Sequence, residues 1–234
     1  MLDRTPLVFL PGLLCDGRVW RDPAAALADA AEAAVADLTL DDTVAAMAAR
    51  VLARAPERFA LAALSMGGYV AFEMLRQEPG RITRLALFDT SASPDAPERA
   101  AQRRAAMESL KLGRFLGVTA RMLPQLVHAR HVHGPVGEEV RTMAQRVGGD
   151  AFLRQQRAIL GRPDSRPLLP AIGVPTLVAV GDADVLTPRA DAEEIHQGIP
   201  GSVLHVFPEC GHLPPVELPQ ETARVLRTWL APAT

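Results

Sequence analysis

Short apolar runs alternate with longer amphipathic stretches in the first third of the chain and again near its end. Leu7-Val8-Phe9-Leu10 is unbroken by polar residues and closed by Pro11-Gly12, which predicts a strand buried on both faces. An Ala-rich stretch at about residues 20–31 predicts a helix, and residues 33–38 a weaker strand. Asp42 is a candidate N-cap for a helix over about 43–55. Residues 59–64 read as a second fully buried strand, 66–78 as a helix ending before Pro79-Gly80, and 82–88 as a further strand. The rhythm then changes. From Pro94 to Ile172 every pattern is helical, with apolar residues at helical spacing over 98–111, 118–126, 138–147 and 151–160 and breaks at Gly113, Pro124, Gly134-Pro135, Gly148-Gly149 and Pro163. Alternation resumes with a strand at 175–180, a helix at about 188–197, a strand at 203–207 and a helix at 219–230.

Repeated strand–helix units predict an α/β domain with a parallel sheet covered by helices on both faces through right-handed crossovers. The helical block interrupts that series after the fourth strand. The expected organisation is a core of residues 1–93 and 173–234, with a helical cap, or lid, of residues 94–172 leaving and re-entering at one edge of the sheet.

Composition narrows the function classes. The chain has 234 residues, 48% hydrophobic and 22% charged, with a net charge of −2 and both signs scattered. That supports a buried core and gives no electrostatic footprint for nucleic acid or an anionic membrane. No apolar run approaches the roughly 20 residues that span a bilayer, and the N-terminal run is too short for a signal peptide. Two cysteines, Cys15 and Cys210, are too few for a disulfide framework, so a reducing compartment and a cytoplasmic location are expected.

Ser65 stands where a strand passes directly into a helix, in Ala63-Leu64-Ser65-Met66-Gly67-Gly68. Small residues two positions either side suit a sharp turn that lifts the hydroxyl clear of the sheet. The same turn aims the backbone N–H of Met66 at a developing oxyanion at the helix N-terminus. Leu13, in the loop after the first strand, is the expected second N–H donor. His212 lies in Cys210-Gly211-His212-Leu213 between the last strand and the last helix, and Asp184 just past the end of the preceding strand. Loops at the carboxyl ends of parallel strands line one crevice, so all three open onto the same edge.

With the chain order Ser, Asp, His, these features resemble the α/β-hydrolase superfamily, and within it small capped carboxylesterases such as the methyl ester carboxylesterase of biotin synthesis. The similarity runs through Leu10-Pro11-Gly12, Trp20, Leu64 to Gly68, Val174-Pro175-Thr176-Leu177, Gly181, Asp184, Gly211-His212 and Glu217-Leu218-Pro219, leaving out the helical block. Three departures stand out. Pro11-Gly12 replaces the family's His-Gly, Ala63 replaces its first elbow glycine, and the chain starts almost at the strand leading to Pro11, without the family's two leading strands. A reduced sheet of about six parallel strands is therefore expected.

The resemblance implies a serine hydrolase working through an acyl-enzyme, with Ser65 as nucleophile, His212 as base and Asp184 as the acid. It implies a small-molecule ester as partner and no metal or organic cofactor, and says nothing of the oligomeric state. Low aromatic content suggests short or medium aliphatic acyl groups, with Phe115, Leu116, Met122, Leu123 and Leu126 of the helical block offered to the chain. Lactone, thioester or carbon–carbon bond hydrolysis on the same triad stays open, and so does a ligand receptor built on this scaffold. Asp182 and Asp89 are alternative acids. His128, His131 and His133 read as surface residues rather than metal ligands, and the cysteines as small apolar packing.

Overall fold

The fully apolar stretches of the sequence become the centre of a sheet. The computed structural model describes residues 4–111, 115 and 117–231. Its strands are β1 (Thr5–Leu10), β2 (Ala31–Val35), β3 (Phe59–Leu64), β4 (Ile82–Phe88), β5 (Thr176–Gly181) and β6 (Val203–Phe207). They form one six-stranded sheet in the order β2-β1-β3-β4-β5-β6, every pair parallel. Residues of β3 alternate between two cores. Phe59, Leu61 and Ala63 face one and Ala60, Ala62 and Leu64 the other, which is why that strand shows no polar alternation.

The helices are α1 (Arg18–Ala26), α2 (Val44–Leu52), α3 (Met66–Gln77), α4 (Pro97–Lys111), α5 (Leu123–Leu126), α6 (Pro135–Leu160), α7 (Arg189–Gly198), α8 (Pro214–Glu217) and α9 (Pro219–Leu230). Buried residues of α2, α3 and α7 join the Leu61 core, while those of α1, α8 and α9 join the Leu64 core. Trp20 anchors α1 to the sheet. Its ring stacks on Phe9 at 4.6 Å, meets Phe88 edge-on at 5.4 Å, and its Nε1 donates to the Leu10 carbonyl at 3.1 Å.

Several boundaries differ from the sequence expectation. The helix expected over 20–31 stops at Ala26, because Ala31 is already paired with Thr5 across the sheet edge. Strand pairing overrides the helix preference of the Ala-rich run there. The cap of α2 is Thr43, not Asp42: its extended backbone lets Oγ1 accept from Ala46 N at 3.1 Å. Between β4 and β5 the helical stretches expected at 138–147 and 151–160 lie end to end within α6 and are separated, as the Gly148-Gly149 pair predicts, by a sharp break at Gly148 (φ 79°, ψ 173°). The helix expected over 118–126 contracts to α5, with Pro124 in its first turn. The short α8 had no counterpart in the sequence reading.

The chain runs from β1 outward to β2, then returns across β1 to β3 and proceeds in the opposite direction. The strand order therefore reverses between β1 and β3, and a crevice opens there at the carboxyl ends of the strands. The loop after β1 and the turn after β3 meet at that point.

Gly148 sits in a backbone region that side chains rarely adopt, with open space around its α-carbon. Gly148→Ala should cost roughly 1–3 kcal/mol through backbone strain alone. Urea unfolding of the two proteins measures this; an unchanged midpoint would mean that α6 straightens at no cost.

Candidate active site

The turn from β3 into α3 holds Ser65 at φ 53°, ψ −115°. Ser65 N donates to the Phe88 carbonyl at 2.9 Å, and Thr90 Oγ1 donates to the Ser65 carbonyl at 2.8 Å. Both holding groups lie at the end of β4. At Gly67 a Cβ would come within 2.6 Å of the Leu10 carbonyl oxygen, so α3 can press onto the end of β1 only with glycine there. The small residue after the serine thus belongs to helix–strand packing as well as to the turn.

Ser65, Asp184 and His212 come together at this edge. His212 Nε2 is 2.8 Å from Ser65 Oγ, and His212 Nδ1 is 2.7 Å from Asp184 Oδ2. The Asp184 carboxylate also accepts from Thr187 Oγ1 at 2.7 Å, Leu186 N at 2.8 Å and Thr187 N at 3.2 Å. Burial pushes this carboxyl up, but the His212 ring and the donors of Thr187 and Leu186 outweigh it and hold Asp184 below the usual carboxylate range. With His212 nitrogens flanked by a carboxylate and a hydroxyl, the arrangement can take a proton from the serine and keep the resulting imidazolium paired.

The rival acids are engaged elsewhere. Asp182 Oδ1 accepts from Cys210 N at 3.1 Å, tying the loop after β5 to the loop carrying His212. Asp89 is fully buried; its Oδ1 accepts from Gly181 N at 2.9 Å, while Oδ2 has no partner among the described residues. Burial, then the charge of Asp184, push the Asp89 carboxyl well above its ordinary range. Asp89, Asp184 and His212 offer ligand atoms within 4.8 Å of one another, and among the described residues no other such group forms. Asp184 already accepts four hydrogen bonds and His212 uses both ring nitrogens, so a cation would have to displace the whole network; the donor set does not fit a metal.

Leu13 lines the crevice beside Ser65, and Met66 N opens α3. Neither N–H donates to another group among the described residues. The loop bearing Leu13 is held from an unexpected direction. Leu14, at φ 59°, donates its N–H to Gln155 Oε1 at 3.1 Å, and Gln155 Nε2 donates to the Leu38 carbonyl at 3.2 Å. Gln155 comes from α6 and is fully buried.

The His212 loop is fixed the same way. Glu217 of α8 accepts from Gly211 N (3.1 Å), Leu213 N (3.1 Å) and His128 N (2.7 Å), and His212 N donates to the Leu126 carbonyl at 3.1 Å. Sequence reasoning assigned no role to Gln155, Thr187 or Glu217. Only Glu217 left a trace, in the Glu-Leu-Pro run after the histidine.

A cavity of 230 Å³ opens at Ser65 and His212. Met122 and Leu126 line it, together with Val118, Val140, Phe152 and Ile159 of the helical block. Phe115 and Leu123 do not; Leu123 is fully buried, and Phe115 packs on Phe152 with ring centroids 6.0 Å apart. Leu116 lies outside the described residues. His128 and His131 are half-buried and His133 exposed. Both thiols are buried: burial and then the Asp16 charge push Cys15 up to about 12, and burial pushes Cys210 up as well, so neither is a ready nucleophile.

The raised pKa of Asp89 has a direct consequence. The folded state keeps its proton where the unfolded state has lost it, so its contribution is complete below the unfolded pKa, about 3.9, and fades as pH rises through the folded value. Asp89→Asn preserves the acceptor for Gly181 N and cannot ionise. Its stability relative to the parent protein should therefore grow as pH rises above about 4, as urea unfolding at acid, neutral and mildly alkaline pH can measure. A pH-independent difference would mean that Asp89 is ionised in the fold.

The chain also resembles known proteins in sequence and in fold. The alpha/beta hydrolase family matches residues 7–225. A pimeloyl-[acyl-carrier protein] methyl ester esterase of Nitrosomonas europaea is 29% identical over 178 residues, covering 72% of this chain and 69% of that protein. An esterase of the same description from Aeromonas hydrophila is 25% identical over 236 residues, covering 94% and 93%. Among solved structures, a thermophilic esterase from Thermogutta terrifontis, with malate bound, superposes with a TM-score of 0.86 at 32% identity over 97% of this chain and 89% of that one. The chain is an esterase-like member of the α/β hydrolase family.

Proposed function

We propose that the protein hydrolyses carboxylic esters through an acyl-enzyme on Ser65. The continuous hydrogen-bonded path from Ser65 Oγ through His212 to Asp184, at 2.8 and 2.7 Å and opening into a largely apolar cavity, carries this reading. His212 takes the Ser65 proton as Oγ attacks the ester carbonyl, and the N–H groups of Leu13 and Met66 receive the oxyanion. Collapse of the tetrahedral intermediate breaks the bond to the alkoxy oxygen, which leaves with the proton held by His212. Water then enters by the same route, freeing the acid and restoring Ser65. Asp184 orients the imidazole and balances its charge.

The cavity volume of 230 Å³ falls below the roughly 300–1,000 Å³ of pockets for drug-sized ligands, which supports short or medium acyl groups. Relatives named as methyl ester esterases support a small alcohol as leaving group. Residues 94–172 act in this reading as a lid, since they furnish much of the apolar wall. The two free cysteines are compatible with a cytoplasmic site of action. No helix among the described residues is long and apolar enough to cross a membrane.

Ser65→Ala should lower kcat on p-nitrophenyl esters by about 10⁴–10⁶, with the circular dichroism of the parent protein retained. Asp184→Asn should cost about 10⁴, by freeing the imidazole to adopt the wrong tautomer. An active Ser65→Ala variant would remove the proposal. A second series tests the lid. Met122→Trp should shorten, and Leu126→Ala lengthen, the preferred acyl chain in a panel from acetate to decanoate. If both profiles coincide with that of the parent, the loops of the core set the pocket instead.

A further inference from the structure

One wall of the cavity differs chemically from the rest. Arg99, Gln102 and Arg103 of α4 line it with Gln156 of α6, whereas most of the other lining side chains are apolar. The arginines are not placed there by chance exposure. The Arg103 side chain is only 13% exposed, with Nε donating to Asp95 Oδ2 at 2.6 Å and Nη1 to Gln156 Oε1 at 3.0 Å. Those bonds occupy two of the five N–H donors of a guanidinium. Arg99 Nη1 donates to the carbonyl of Leu186 at 2.6 Å, and Leu186 itself lines the cavity two residues beyond Asp184.

The charge on this wall is not balanced. Asp95, nearly buried, is shared by Arg103, by Arg162 at 2.9 Å and by Arg99 at 3.7 Å. Burial pushes the Asp95 carboxyl up, but the hydrogen bonds from Arg162 and Arg103 outweigh it and keep it ionised. Asp191 also faces Arg99, though burial pushes its carboxyl up. Arg162 turns away from the cavity, donating to the carbonyls of Ser93 and Ile159, with its guanidinium 4.2 Å from the Tyr69 ring. Among the described residues three guanidinium groups thus meet two carboxylates, and the surplus positive charge sits where Arg99 and Arg103 border the cavity. A purely structural cluster pinning α4 to α6 would need no cation on the cavity side. An all-alkyl acyl chain would leave these donors facing methylene groups, whereas a carboxylate would accept from them in the geometry guanidinium favours.

We propose that Arg99 and Arg103 anchor a carboxylate carried by the acyl group, so that the preferred substrates are half-esters of short dicarboxylic acids. This rests on the esterase reading of Ser65. The ester carbonyl is attacked by Ser65 Oγ, the alkoxy group leaves as the alcohol with the proton from His212, and water releases the dicarboxylate. The free carboxylate is unchanged throughout.

The test pairs two esters of equal chain length, the p-nitrophenyl half-ester of glutarate and p-nitrophenyl valerate. The expected kcat/KM ratio favours the half-ester by about 10–100-fold, the size of one or two hydrogen bonds to a charged group. Arg103→Gln and Arg99→Gln should each reduce that ratio about tenfold. Because these also disturb Asp95, Gln102→Glu serves as a third variant. It places a negative charge on the same wall without touching the arginine–Asp95 bonds, and the ratio should fall likewise. Independently of turnover, calorimetry on Ser65→Ala should find glutarate bound more tightly than valerate, a difference abolished by adding Arg103→Gln. Equal kcat/KM for the two esters, or a preference that all three variants leave in place, overturns the anchor while leaving the esterase intact. Arginine-dependent glutarate binding in a protein that cleaves neither ester supports the anchor and removes the esterase reading instead.

Discussion

The backbone of one residue organises the site. Ser65 at φ 53° costs of the order of 1–3 kcal/mol relative to an ordinary strand-to-helix passage. That cost is met by bonds on both sides of its peptide units, from Ser65 N to Phe88 O and from Thr90 Oγ1 to Ser65 O, and by the packing of Gly67 onto Leu10 and Pro11. The consequences spread outward. Because the turn is sharp, Ser65 Oγ reaches the His212 ring, while the N–H of Met66, the first residue of α3, meets no acceptor among the described residues. Because Gly67 brings α3 against the end of β1, the loop bearing Leu13 is forced beside the serine. The reversal of strand order between β1 and β3 supplies the crevice, and the strained turn decides what faces into it.

The helical block is bonded to both loops that flank the serine. Gln155 of α6 holds Leu14 N, and the segment after α5 meets the histidine loop through Leu126 O and through His128 N on Glu217. The bond to Leu14 is buried and those at the histidine loop are part-buried; where such a group is buried, an unsatisfied partner would cost about 1–3 kcal/mol. The block therefore cannot lift far without exposing or orphaning groups that define the positions of Leu13 and His212. Its seating and the geometry of the site form one equilibrium, and a ligand that orders either part favours the other.

What the sequence made legible followed from local chemistry. The strands of the core declared themselves because they are buried on both faces and tolerate no polar residue. Ser65, Asp184 and His212 could be named because each sits at the carboxyl end of a strand, where parallel topology brings loops together whatever their separation in the chain. Gln155 and Glu217 were not legible. Each is a polar residue on a helix, like dozens that face water, and only contact with a distant segment reveals its work: Gln155 lies 141 residues from Leu14. The inside of the helical block was legible only in part for a related reason. Its apolar residues serve both its own packing and the cavity, so periodicity marked Leu123 and Met122 alike, yet one is fully buried and the other borders the cavity beside Ser65.

The choice between two acids shows how far environment outranks residue type. Asp89 and Asp184 both lie near the histidine, each offering a carboxylate oxygen within 4.8 Å of the other and of a ring nitrogen, though only Asp184 is hydrogen-bonded to the ring. Two full charges at that separation repel by about 3 kcal/mol at an effective dielectric near 20, so the site favours ionising one and keeping the other neutral. Asp184 receives donors from Thr187, Leu186 and His212, whereas Asp89 has one backbone N–H and an oxygen with no partner among the described residues. The proton therefore stays on Asp89, and the charge settles on the carboxylate that faces the imidazole. A neutral Asp89 also removes a repulsive charge from beside Asp184 without filling the space with apolar volume, leaving the ionised acid with donors and no competing anion. Both residues are aspartates, so the difference between their roles comes from their surroundings alone.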